Sequence, residues 1–165
     1  MSVLVSKRKE SKLEAIVYSV ELHNLMVELM QRNFGIKDLD HFVRVRFAYG
    51  KIPREDFKHY QYLMHNAKLR IDEIASRITS NVRAANSIYP TSMHEYNQRR
   101  DYQNCAIASC EQLVTELQRI VEIFDVDINV FAKYIKAIDR EIGLIKGWRQ
   151  RDNRFKSYLQ KEGNI

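Results

Sequence analysis

The sequence predicts an all-α protein: an antiparallel, up-down-up-down four-helix bundle with a basic N-terminal arm and a polar C-terminal tail. Three observations carry this. Apolar residues step by three or four along four long segments, the period of a buried helix face. Five glycines and two prolines in 165 residues are too few for a chain of strands and tight turns. A hydrophobic content of 45% against 29% charged suits one folded domain with a sizeable core. The expected organisation is a flexible basic arm over 1–11, a bundle over 12–151, and a polar, mobile tail over 152–165, in which Phe155, Tyr158 and Leu159 could extend one more turn.

The arm carries Lys7, Arg8 and Lys9 together. Ser11 and Glu14 then form a capping-box pattern, a hydroxyl followed three residues on by a carboxylate. The first helix is expected over 12–33. Leu13, Ile16, Val17, Val20, Val27 and Met30 make its main stripe, and Leu22, Leu25, Met26 and Leu29 widen it. Gly35 is the expected stop, because glycine accepts a left-handed conformation at little cost. Residues 36–52 read as an irregular connection holding a short helix from Leu39 to Ala48, punctuated by Gly50 and Pro53.

The second helix is expected over 54–87. At 1.5 Å per residue it would be about 50 Å long, and Tyr60, Met64, Ala67, Ile71, Ile74, Ile78, Val82 and Ala85 keep one face along it. Pro90 breaks it, and Thr91 or Ser92 can cap the next helix, with Glu95 completing a second capping box from Ser92. The third helix, 93–124, carries Tyr102, Ala106, Cys110, Leu113, Leu117, Ile120 and Phe124. Asp127 or Asn129 caps a fourth over 129–150, whose stripe is Phe131, Tyr134, Ile138, Ile142 and Ile145. Trp148 falls three residues after Ile145 and can continue that stripe as a structural anchor.

The chemistry of a catalytic site is not legible. The glycines are isolated, so no phosphate loop is expected. His59 and His65 are six apart and share no helix face as metal ligands. The Asp125–Asp127 stretch reads as a helix cap, and no serine or cysteine stands in a nucleophile motif. Cys105 and Cys110 are expected as buried, unpaired thiols. No secretory signal and no run of about 20 apolar residues is seen. The expectation is a cytoplasmic, non-enzymatic protein without membrane, metal or cofactor.

Charge and aromatic rings remain. The net charge is +6, which suggests a polyanionic partner. From Lys146 onward there are six basic residues and two acids. The stretch Ile145–Phe155, IKGWRQRDNRF, sets Trp148 and Phe155 among four cations. The candidate phosphate contacts are Lys146, Arg149, Arg151 and Arg154, assisted by Arg99 and Arg100, with Lys7, Arg8 and Lys9 of the arm next in line. Trp148 either packs in the core or stacks on an unpaired base.

Three stretches carry a resemblance: ITSNVRAANSIYP (Ile78–Pro90), YNQRRDYQNCAIASCEQLVTELQ (Tyr96–Gln118) and IDREIGLIKGWRQRDNR (Ile138–Arg154). Together they resemble the Avd-type accessory proteins of diversity-generating retroelements. Those belong to the wider four-helix-bundle family named after proteins encoded in intervening sequences of ribosomal RNA genes. The similarity spans roughly residues 12–154. It implies a ring-like homopentamer that binds RNA or DNA and a partner reverse transcriptase, supporting mutagenic complementary-DNA synthesis from a template RNA. It assigns no binding residue. The alternative, from another class, is a structural interaction protein whose basic patches dock acidic protein surfaces without meeting nucleic acid.

Overall fold

The structure is a computed structural model and describes residues 13–48, 50 and 57–162. The described residues are helical with no strand: α1 (Glu14–Gln31), α2 (Leu39–Ala48), α3 (Phe57–Ser87), α4 (Met93–Phe124), α5 (Ala132–Arg151) and α6 (Asn153–Glu162), with 3-10 turns at Asn33–Gly35 and Ile128–Phe131. No helix among them is long and apolar enough to cross a membrane. Lys7, Arg8, Lys9 and Ser11 lie outside the described residues.

Local chemistry sets most boundaries. Asn33, Phe34 and Gly35 take positive φ in succession, ending the first helical segment. The Phe34 ring is fully buried, and this burial offsets the cost of its left-handed backbone. Gly35 is required twice over: its φ is +91°, and a Cβ there would lie 3.1 Å from a Val130 methyl. Ser92 Oγ accepts from the Glu95 amide at 3.2 Å, while the Glu95 carboxylate accepts from the Thr91 amide and hydroxyl. Asp127 caps the turn before α5 by accepting from the Asn129 amide at 2.9 Å.

One core runs through α1, α3, α4 and α5. Polar contacts on adjacent helices pair in opposite order. Ser19 meets Thr79 and His23 meets Asp72 across α1 and α3. Arg77 reaches Gln112, and the Tyr60 ring sits 6.0 Å from Phe124, across α3 and α4. Lys133 reaches Glu28 and Arg140 reaches Glu14 across α5 and α1.

The structure corrects four expectations. The buried face of α1 is Ala15, Tyr18, Leu22, Met26 and Leu29, while Val17 is 49% exposed and Val20 is also open. Both stripes have helical period, and contact with two neighbouring helices selects the second. On α5, Glu141 is turned inward at 0% exposure and Ile142 is only partly buried. Cys105 is exposed, although Cys110 is buried. The expected mobile tail is helical through Glu162, since α6 packs on α4 and α5 and buries Leu159.

Glu141 has no hydrogen-bond partner for either carboxylate oxygen. Burial pushes its pKa from an ordinary 4.5 up to about 8, so the acid stays protonated near neutrality. The Cys110 thiol is pushed up as well, chiefly by burial and further by Glu141 and Glu111.

Candidate nucleic-acid interface

The Ile145–Phe155 stretch closes one end of the core. Arg99 on α4 meets Asp152 at the α5–α6 junction through two parallel hydrogen bonds, Nε to Oδ2 at 2.7 Å and Nη2 to Oδ1 at 3.1 Å. Its Nη1 donates to the carbonyls of Ala85 and Ile88 at the end of α3. Gln103, one turn along α4, donates to Asp152 Oδ2 at 2.7 Å. The guanidinium carbon lies 4.8 Å from the centre of the Trp148 ring. Arg99, Gln103, Trp148 and Asp152 are all buried. The planar fork of arginine suits this site, because it makes four hydrogen bonds, two of them parallel to one carboxylate, whereas a lysine ammonium has three donors at a single point.

This removes Arg99 from the candidate phosphate contacts. Its donors are engaged inside the fold, and it is 8% exposed. Arg100 is half-buried and donates to Tyr96 Oη at 3.0 Å and Asn153 Oδ1 at 3.2 Å. Trp148 packs in the core, so its ring offers no face to a base.

The remaining cations point outward. Arg149 is partly exposed and donates to Asn104 Oδ1 at 2.7 Å. Lys146 and Arg151 are exposed and form no hydrogen bond or ion pair with a described residue. Arg154 is exposed, its guanidinium 5.1 Å from the Phe155 ring centre. Lys156 and Lys161, on α6, are exposed as well. The one acid between residues 146 and 161 is Asp152, and it faces inward. The fold thus sorts this segment by sign: six cations outside, the acid inside.

Asp152, Gln103, Lys156 and Lys161 are missed by sequence reasoning. A lone acid within a basic run at a helix end is the available signal, since it marks an internal partner for one of the arginines. The partner itself is not readable, because it lies on another helix. Among the described residues no three His, Cys, Asp or Glu side chains group as metal ligands.

Fold and surface together define a helical bundle with one cationic end. No protein-family model matches the chain, and neither a curated protein nor a solved structure does.

Proposed function

We propose that this chain is a non-catalytic, nucleic-acid-binding accessory subunit. It partners a reverse transcriptase in template-RNA-directed, mutagenic complementary-DNA synthesis in the cytosol, as a homo-oligomer of pentameric order. In this reading the four long helices form an antiparallel, up-down-up-down bundle, a topology supported by the opposed pairings of Ser19 with Thr79, Tyr60 with Phe124 and Arg140 with Glu14. The reverse transcriptase and the pentamer rest on the resemblance of the three quoted stretches. The observation that carries nucleic-acid binding is the sorting of charge over 146–161, with the acid withdrawn from a cationic surface. Lys146, Arg149, Arg151 and Arg154 supply phosphate contacts, with Arg100 at the edge.

The test compares wild type with the Arg149, Arg151 and Arg154 triple alanine variant, by fluorescence anisotropy of labelled RNA across a salt series. Binding weakens, and the slope of log K against log salt flattens by roughly 0.7 for each phosphate of a single strand that is no longer neutralised. Stability changes little, because exposed charges contribute about 0–1 kcal/mol. Trp148→Ala behaves oppositely, costing about 3–5 kcal/mol of stability. An unchanged salt slope in the triple variant removes the interface. Displacement of the RNA by polyglutamate at equal charge favours an acidic protein as partner instead.

A further inference from the structure

Tyr89 lies in the turn between α3 and α4 and is 74% exposed. Its ring is not loose. It meets Phe155 of α6 edge-to-face, with centroids 5.4 Å apart and planes at 81°. Phe155 itself lies near two guanidinium groups, Arg154 at 5.1 Å and the buried Arg99 at 5.8 Å from its ring centre. The backbone on either side of Tyr89 is also pinned. The Ile88 carbonyl accepts from Arg99 at 2.7 Å, and Pro90 is buried with a ring-restricted φ. An exposed aromatic ring is thus fixed in place beside the outward cations of α6.

We infer that Tyr89 is a stacking platform for an unpaired base, and that the cationic end takes single-stranded nucleic acid in preference to duplex. This rests on the nucleic-acid reading above and states which form of nucleic acid the surface fits. Phosphates alone do not distinguish the forms, because both strands and duplexes carry them. A ring face does, since the bases of a duplex are already stacked on one another and only an unpaired base can lie on a side chain. Arg154, next to Phe155, supplies charge for the adjoining phosphate. Little ordering is needed on binding, because the Phe155 contact and the pinned backbone hold the ring beforehand.

The experiment uses the full chain and three fluorescein-labelled probes of equal length: an oligouridine, its abasic phosphodiester counterpart, and an RNA duplex. Tyr89→Ala weakens the oligouridine by about 5- to 150-fold, the range for one base–aromatic stack. It leaves the abasic and duplex probes unchanged and keeps the salt slope, since no charge is removed. Tyr89→Phe binds like wild type, because the ring and not the hydroxyl is used. Equal loss on all three probes overturns the inference by showing a general disturbance of the surface. Wild-type oligouridine binding by Tyr89→Ala also overturns it, and arginine-dependent binding of all probes then leaves the cationic interface standing. Failure of wild type to bind any probe removes the interface and the stacking platform together.

Discussion

Arg99 and Asp152 are 53 residues apart in the chain and meet in a buried, two-pronged ion pair that ties the end of α3, the start of α4 and the α5–α6 junction together. The pair is satisfied on all sides, by Gln103, by two backbone carbonyls and by the Trp148 ring. Removing one partner leaves the other charge buried and unpaired, which costs about 3–5 kcal/mol. Asp152→Ala and Arg99→Ala are therefore expected to lower the urea midpoint strongly. The double variant Arg99→Met with Asp152→Leu recovers much of the loss, because no charge is then stranded. Single variants within 1 kcal/mol of wild type contradict this account.

Glu141 makes stability depend on pH. Its folded pKa, about 8, stands above the ordinary 4.5. The folded state therefore keeps a proton that the unfolded chain releases between these values. The stabilisation is full below pH 4.5 and is lost as pH rises towards 8, at up to about 1.4 kcal/mol per pH unit. Glu141→Leu flattens this dependence and is more stable than wild type at pH 8. Urea unfolding of both proteins at pH 5 and pH 8 measures it, and parallel pH profiles reject it.

Two glycines respond in opposite directions. Gly35→Ala meets both a φ of +91° and a Val130 methyl at 3.1 Å. It is expected to cost about 1–2 kcal/mol or more. Gly143 lies within α5, and a Cβ there meets nothing within 4 Å. Gly143→Ala is expected to stabilise by about 0.5–1 kcal/mol. Thermal melts check both: a rise for Gly35→Ala contradicts the first argument, and a fall for Gly143→Ala contradicts the second.

Self-association is expected to use the apolar surface that α1 leaves uncovered. Val17 and Val20 are exposed and, with Ile16 and Arg83, line a cleft of about 580 Å³ between α1 and α3. Tyr62, on α3, is open as well. Wild type at micromolar concentration is expected to scatter light as an oligomer, and Val17→Asp with Val20→Asp shifts it towards a roughly 20 kDa species. A wild-type protein found only at that mass rejects the oligomer.

The sequence by itself determined what depends on neighbours in the chain. The bounds of α2 and α4, the Ser92 cap and the Gly35 stop follow from local geometry, while of Asp127 and Asn129 the structure selects Asp127, as the cap of the 3-10 turn before α5. The core stripe of α3 followed too, because Ile71, Ile74, Ile78 and Val82 offer one apolar face with polar residues opposite. Tertiary structure decided the rest. On α1 two apolar faces compete, and periodicity within one helix does not say which face meets the others. On α5 the position of Glu141 is a poor core site by residue type, yet the orientation set by Tyr134, Ile138, Ile145 and Trp148 carries it inward. The ending stretch shows the same limit most clearly. Its arginines look like Arg99 of α4 in one dimension, but Arg99 is buried against Asp152 while Arg151 and Arg154 stay in solvent. Charge pairing across 53 residues is a property of the packed helices, and only their packing separates an arginine that holds the fold from one that is free to meet a phosphate.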